Sequence, residues 1–404
     1  MRSYSLLAIV LLCFAIFIVD VLAFYWLQSI TNLIASSGFV TAIHISFWVF
    51  TIALISTILT LKIRLDNMNP TRKQIVVSSL YGLTVSSFIP KLIFVIIISI
   101  LHATDYVFSE KKSLVVVPLV GLLSGFLPFF VIAFGIFKTI YRFKVHRIKI
   151  QLDTLPKSFN KLRIVHISDL HIGSFNYRFN IFERAVMLIN ELEPDILVFT
   201  GDLVNNYAWE LRGWETVFNK ILTKKGKYAV LGNHDYGDYS NWTSEEEKQE
   251  NFEAIKKFYK KIGFKLLLNE GEAIVEDDSE IAIVGVENWG NPPFKQYGNL
   301  KQALESVSHI PFKILLSHDP SHWSKEVLFK TDIALTLSGH THGMQAGINI
   351  GNKKWSPIQY KFKQWAGLYK EQKQYLYVNR GLGWLGFPGR IGMRPEITLL
   401  ELKR

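Results

Sequence analysis

Four apolar runs in the first third of the chain restrict its fold more than any other feature. They cover about Leu6 to Leu27, Val40 to Leu61, Ile75 to Leu101 and Ser113 to Phe137, and each reaches the roughly 20 residues a helix needs to cross a bilayer. Within hydrocarbon every backbone N–H and C=O must be paired inside the protein, so the runs are expected as transmembrane helices. A soluble bundle buried on all sides is the competing reading, and four runs of this length weigh against it. The first run has no small-residue cleavage signature and three more follow, so it reads as a span rather than a signal peptide.

Charge supports the same division. Residues 1–150 carry 13 Lys and Arg against 4 Asp and Glu, which accounts for nine of the formal +11 of the 404-residue chain. The basicity thus belongs to the membrane half and is not a nucleic-acid footprint, and no nucleic-acid partner is expected. Arg2, Lys62, Arg64, Arg72, Lys73, Lys138, Arg142, Lys144, Arg147 and Lys149 fall on one side of four spans, and Lys111 and Lys112 on the other. By the positive-inside rule both termini, and with them everything after the last span, are expected in the cytoplasm. The basic run Lys138 to Lys149 is read as a topology determinant that could also meet anionic lipid headgroups. Asp20 and Lys91 are ionisable residues inside spans at similar depth; an ion pair between helices is expected, with a polar vestibule as the alternative. Cys13 is the only cysteine, so no intramolecular disulfide can form. Asn241-Trp242-Thr243 matches a glycosylation acceptor that a cytoplasmic domain would not present to the machinery.

From residue 146 onward the pattern changes to short strand-like runs, five of which end in potential metal ligands. Leu162 to Ile167 leads to Asp169 and His171, two residues apart and so on one face of an extended chain. Asp195 to Thr200 leads to Gly201-Asp202, and Tyr228 to Leu231 to Gly232-Asn233-His234-Asp235. Phe312 to Ser317 delivers His318, and Ile333 to Ser338 delivers Gly339-His340-Thr341-His342. Each cluster alone could be an ordinary turn. Five together, each at a strand end, point to a metal centre at one sheet edge. Imidazole and carboxylate donors without thiolates suit Mn, Fe or Zn. His166 lies inside the first strand and reads as a hydrogen-bonded core histidine; His309 and His322 receive no role.

These motifs resemble those of the calcineurin-like metallophosphoesterase superfamily, over about Leu162 to Leu402. The resemblance implies one divalent metal held by Asp169, His171, Asp202 and His342, and a second held by Asp202, Asn233, His318 and His340. It also implies a four-layer αββα sandwich with two mixed sheets, giving a chain of two parts: transmembrane helices over 1–145 and the phosphoesterase domain over 146–404. Two cations held close together need a shared anionic ligand, which is the part Asp202 would play. Attack by a metal-bridged hydroxide would leave His234 to protonate the departing oxygen, with Asp235 orienting the ring.

Further local expectations follow. Asn180 to Leu192 has helical spacing, and Ser244 opens a helix to Lys261 with Glu247 placed for a capping box. Ala273 to Glu276, Ile281 to Val286 and Glu396 to Leu402 read as strands. Lys353 to Lys370 interleaves Trp355, Tyr360, Phe362, Trp365 and Tyr369 with lysines, which suits a membrane interface, single-stranded nucleic acid or a loop packed on its own domain. Asn379-Arg380-Gly381-Leu382-Gly383 and Pro388-Gly389-Arg390 resemble the closing segment of membrane-linked and exported members of the family, which makes Arg390 a candidate phosphate contact. The layout is similar to that of multi-span metallophosphoesterase-domain proteins and of enzymes that cleave the pyrophosphate of UDP-diacylglucosamine. The reading is a membrane-bound phosphohydrolase acting on a phosphodiester, pyrophosphate or phosphomonoester, with membrane lipids and a lipid-linked substrate as partners. A phosphatase tethered to the membrane but acting on soluble nucleotides or phosphoproteins is the second hypothesis, and a non-catalytic metal-binding scaffold the third.

Overall fold

The computed structural model describes residues 5–65, 68–108, 113–292, 294–350 and 353–404; Arg2, Glu110, Lys111 and Lys112 lie outside them. The chain divides into two compact units, one running to Phe137 and including Gly386–Gly389, the other formed by Lys138–Leu385 and Arg390–Arg404. The division comes before the 145/146 boundary expected from composition.

The first unit is four helices: α1 (Leu6–Thr31), α2 (Ser37–Arg64), α3 (Pro70–Phe108) and α4 (Ser113–Phe137). All four are long and apolar enough to cross a membrane. Their surfaces are those of helices in lipid: Leu7, Val49 and Ile63 are 68, 60 and 80 % exposed, while Ile16, Leu54 and Ile98 pack inside. Asp20 of α1 is fully buried, and Lys91 of α3 reaches it at 2.9 Å from both carboxylate oxygens. Thr51 of α2 donates a third hydrogen bond to the same carboxylate. The expected ion pair is present and ties three helices together.

The second unit stacks two six-stranded sheets. The first sheet has the order β1 (Lys144–Gln151), β14 (Glu396–Lys403), β2 (Leu162–Ile167), β3 (Ile196–Phe199), β4 (Gly226–Ala229), β5 (Lys265–Leu266). In the second the order is β12 (Gly367–Glu371), β13 (Gln374–Val378), β9 (Leu335–Ser338), β8 (Lys313–Leu316), β7 (Ser279–Gly285), β6 (Glu270–Glu276). A separate hairpin pairs β10 (Ile348–Ile350) with β11 (Lys353–Trp355). Alternation along the strands builds the layers. Ile164, Ile196, Val198, Ile314, Leu316, Leu335 and Leu337 meet between the sheets. Val165, Ile167, Leu197 and Phe199 point the other way, onto α5 (Phe179–Glu191), α6 (Glu215–Phe218) and α7 (Glu245–Lys261). Ala282, Val284 and Leu315 pack on α8 (Leu300–Glu305) and the π-helical turn at Trp323–Val327. Buried on both faces, the central strands read as continuous apolar runs. The result is the four-layer αββα arrangement.

Ser244 caps α7 as expected, accepting from Glu247 N–H at 3.3 Å. The reciprocal arm differs: Glu247 accepts from Thr243 N–H, one residue further back than in a capping box. Glu245, Glu246 and Glu247 in the first turn and Lys260 and Lys261 in the last complement the helix dipole. Two basic segments take up definite structure. From Lys144 the basic run belongs to an edge strand, Lys144–Gln151, in parallel register with β14 from Lys144↔Glu396 to Gln151↔Lys403. The aromatic and basic segment is largely folded onto its own domain: Phe362 and Trp365 form a buried cluster with Ala366 and Met393, while Trp355 and Tyr360 stay exposed.

Candidate metal centre

The strands β2, β3 and β4 are parallel, as are β7, β8 and β9, and the ligand-bearing residues follow the C-terminal ends of five of them. Ligand sites in open α/β sheets form at that edge. Here two sheets contribute to one site. His318 Nδ1 hydrogen-bonds Thr200 O at 2.7 Å, and His340 N–H donates to both Asp169 oxygens at 3.0 and 3.1 Å, so each sheet positions ligands of the other.

Backbone strain marks the place. Asp169, His171, Asp202, His340 and His342 all adopt positive φ between 45° and 70°. Left-handed backbone at non-glycine residues costs free energy and persists where surrounding structure imposes it. The glycines beside them serve two ends. Gly201 turns the chain at φ +92°, whereas at Gly339 any Cβ would collide with Ser168 and the Asp169 carboxylate.

The donor atoms converge on two centres. His171 Nε2 lies 3.1 Å from His342 Nε2 and 3.4 Å from Asp202 Oδ2, and His342 Nε2 is 3.3 Å from Asp169 Oδ1. On the other side, His318 Nε2 lies 3.3 Å from Asp202 Oδ2, 3.2 Å from Asn233 Oδ1 and 3.2 Å from His340 Nδ1. Donors sharing one ion at about 2.0–2.2 Å stand roughly 3.0–3.5 Å apart, which these separations match. Asp202 Oδ2 belongs to both groups. The amide of Asn233 is oriented by donating from Nδ2 to Tyr239 Oη at 3.0 Å, which turns Oδ1 toward the centre.

The electrostatics fit cations. Burial pushes Asp169 up to about 7, reinforced by the Asp202 carboxylate against the pull of His318. Burial lowers His171 to about 3 and His340 to about 4, and holds His342 well below its ordinary value, so these imidazoles are neutral near pH 7, the form that binds metal. His318 is the exception: burial would lower it, but the Asp202 carboxylate raises it to about 10. Among the described residues the His318 imidazole and, for Asp169, the buried Arg390 guanidinium face these carboxylates, and the converging carboxylates and neutral imidazoles form a donor set that divalent cations would fit.

His234 stands beside the first group, its ring 5.0 Å from that of His171 and edge-on to it. Its Nδ1 bonds Asn205 O at 2.8 Å. A carbonyl only accepts, so the proton sits on Nδ1 and Nε2 is the basic nitrogen. Asp235 does not orient this ring, contrary to expectation. Its carboxylate accepts backbone N–H groups of Asp202, Leu203, Val204 and Gly232 at 2.9–3.2 Å, locking two ligand loops together. Arg390 is also corrected. It is fully buried, donating to the carbonyls of Arg380, Gly381 and Gly383, and Nη2 stands 3.4 Å from His342 Nδ1. Fully buried, with Nε and Nη2 engaged by backbone carbonyls, it braces the loop behind His342 instead of standing in the open site. His166 is the core histidine expected, bonded to Thr200 Oγ1 at 2.8 Å. His322 sits away from the site between Ser317 and Glu326, and His309 lies on the surface near Glu280.

Sequence reasoning missed several residues. Buried Asp319 stands 4.0 Å behind His340 Nε2; its place directly after His318 was the available signal. Phe294 and Phe362 meet the His340 ring nearly edge-on at 5.0 and 5.4 Å. Nothing local marks either.

Comparison with known proteins agrees with this geometry. Residues 162–344 match the family described as calcineurin-like phosphoesterase, and residues 2–140 match "Probable Calcineurin-like phosphoesterase, transmembrane domain". "Uncharacterized metallophosphoesterase YkuE" of Bacillus subtilis is 30 % identical over 64 % of this chain and 84 % of its own length. The chain belongs to the calcineurin-like phosphoesterases. This phosphoesterase is also 32 % identical to the Bos taurus "Transmembrane protein with metallophosphoesterase domain", over 64 % of this chain and 57 % of that protein. It thus spans little more than half the length of that vertebrate relative. "Phosphodiesterase YaeI" of Escherichia coli is 28 % identical over 59 % of the chain and 82 % of its length. The phosphoesterase combines candidate membrane spans with a binuclear-type metal-binding cluster.

Proposed function

We propose that this phosphoesterase is a membrane-bound two-metal phosphohydrolase cleaving a phosphodiester, pyrophosphate or phosphomonoester, with Asp202 as the ligand common to both metals. The observation that carries the reading is the position of Asp202 Oδ2, 3.4 Å from His171 Nε2 and 3.3 Å from His318 Nε2. Asp169, His171 and His342 complete one set, and Asn233, His318 and His340 the other. Two cations there would supply Lewis acidity and an acidified water. The chain's own part is to hold neutral imidazoles in place and to move a proton: His234, once protonated at Nε2, donates to the leaving oxygen while Asn205 O keeps the ring oriented. Asp235 holds the Asp202 loop against the Gly232 loop. Full retention of donors and of His234 disfavours a non-catalytic scaffold.

The substrate is proposed to be lipid-linked and the catalytic unit cytoplasmic. The four spans, the charge asymmetry of their flanks, and exposed Trp355 and Tyr360 support this. Burial of Phe362 and Trp365 favours the second reading, a tethered phosphatase for soluble substrates, because two of the five supposed interfacial aromatics face the protein core. The test is hydrolysis of bis(4-nitrophenyl) phosphate by the purified chain in detergent, with Mn, after chelation, and with a micellar lipid diphosphate in competition. The proposal expects chelator-sensitive, Mn-restored activity inhibited by the lipid. Activity indifferent to chelation would overturn the two-metal reading, and indifference to the lipid would leave the tethered phosphatase.

A further inference from the structure

Half-buried Tyr239 touches both a ligand of the second donor set and the proposed acid. Its Oη accepts from Asn233 Nδ2 at 3.0 Å, and its ring lies 4.6 Å from the His234 ring at an interplanar angle of 38°. The turn that carries it is pinned by the two residues before it. Asp238 Oδ1 accepts from Lys248 Nζ at 2.6 Å and Lys295 Nζ at 2.9 Å, and Oδ2 from Tyr297 Oη at 2.8 Å. Gly237, at φ +69°, lies so close to Trp242 that a Cβ there would stand 2.8 Å from the indole. Its carbonyl accepts from Trp242 Nε1 at 2.8 Å and from Ser240 N–H at 3.3 Å. A side chain carried on so fixed a turn offers its hydroxyl and its ring from one place.

We infer that Tyr239 is a positioning residue that joins the second metal site to the acid: its hydroxyl fixes the Asn233 amide, and its ring holds His234 in its orientation. This rests on the proposed hydrolase reading and adds a residue to it. Only one end of an Asn amide can serve a cation, because the oxygen carries lone pairs whereas the NH2 group is a donor alone. Donation from Nδ2 to Tyr239 favours the arrangement in which Oδ1 faces the second centre, 3.2 Å from His318 Nε2. Hydrogen-bond partners standing behind a ligand typically change metal affinity about 10–100-fold. His234 is fixed at Nδ1 by Asn205 O, a single bond about which the ring could still swing. The Tyr239 ring against it, and the His171 ring edge-on at 5.0 Å, restrict that swing. The two contributions run through different parts of one side chain and so separate by mutation.

Equilibrium dialysis of the full chain in detergent against graded free Mn, with bound metal read by elemental analysis, tests the hydroxyl. Tyr239→Phe should weaken the second ion about tenfold or more and leave the first within about twofold. Tight binding of the first ion also shows that the variant has folded. At saturating Mn its discrimination between poor and good leaving groups should match wild type. Tyr239→Leu should share the metal defect and, at saturating Mn, lose roughly 10–100-fold on alkyl phosphodiesters while sparing activated aryl esters, as a displaced acid requires. Combined with His234→Gln, it should add nothing to that variant's loss on alkyl phosphodiesters. Equal weakening of both ions or an unchanged second ion in Tyr239→Phe would overturn the inference, as would a Tyr239→Leu that treats leaving groups as Tyr239→Phe does. The two readings fail separately. Selective loss of the second ion in Tyr239→Phe, with no hydrolysis of any phosphate ester by wild type, would sink the hydrolase reading and leave the role of the hydroxyl standing. Chelator-sensitive hydrolysis with both ions bound as tightly in Tyr239→Phe as in wild type would sink the role of Tyr239 alone.

Discussion

The two units bury charge in opposite ways. In the helical unit Asp20 is sealed from solvent, and it is answered from within by Lys91 at 2.9 Å and by the Thr51 hydroxyl. At the metal centre Asp169, Asp202 and Asp235 are all sealed too, and the surrounding imidazoles, His318 apart, are held neutral by their burial. Asp235 is satisfied by four backbone N–H groups, but Asp169 and Asp202 face one another's charge. A pair that closes on itself is architecture. A cluster that does not close calls for something from outside, and its donors converge as a binuclear-type metal-binding cluster.

The largest expected effect breaks the open cluster. Asp202→Ala removes the one atom common to both donor sets, so hydrolysis should vanish and bound metal fall together at both positions, read by activity and metal analysis on the same preparation. Retention of activity would contradict a shared ligand. His234→Gln should slow substrates with poor leaving groups about 10²–10⁴-fold while largely sparing activated aryl esters, because a good leaving group needs no proton. A uniform loss on both, with metals retained, would remove His234 from the role of acid.

The closed pair can be broken in the same spirit. Lys91→Met leaves Asp20 buried and uncompensated, at a cost of about 3–5 kcal/mol. Thermal unfolding of the full chain in detergent should show it, and Asp20→Asn combined with Lys91→Met should recover most of the loss. If the double variant is no better than the single, the pair is not the unit of stability. A second closed pair lies in the catalytic unit, where Glu396 meets Arg380 and also accepts from Tyr377 and Thr398. Burial opposes its ionisation, yet Arg380 draws Glu396 down to about 2 from an ordinary 4.5. In that window the unfolded chain binds more protons than the folded one, so this contribution is complete above about pH 4.5 and is lost as pH falls toward 2. Acid titration of stability should therefore be flatter in Glu396→Gln; parallel curves would deny the pair its role. The smallest effect belongs to an exposed pair. Lys220 and Glu183 stand 2.6 Å apart with side chains 58 and 38 % exposed, and Lys220→Ala should cost no more than about 1 kcal/mol.

Legibility in the sequence followed the same division. Helices in lipid are written in composition over 20 or more residues, so all four were recognisable, with ends shifted by a few positions. The ligands were recognisable because each follows an apolar strand run. What escaped was geometry without a local signal. Lys144–Gln151 reads as basic, and its strand period, with Ile148 and Ile150 alternating with Arg147 and Lys149, is masked by that charge. The β12–β13 hairpin has no Asn-Gly or Asp-Gly to mark it; Gln372 takes φ 50° in the turn itself. The fates of Asp235 and Arg390 were equally invisible. Both are charged residues beside a site, yet their charge is spent on backbone groups, for Asp235 those of the Asp202 loop and of Gly232, for Arg390 the carbonyls of Arg380, Gly381 and Gly383.

Metal content measured on the purified full-length chain tests the central claim most directly. Wild type reconstituted with Mn and freed of excess should carry two ions per chain by elemental analysis, and Asp202→Ala should carry close to none. One ion per chain in the wild type, or two retained in Asp202→Ala, would contradict a binuclear centre built around that carboxylate.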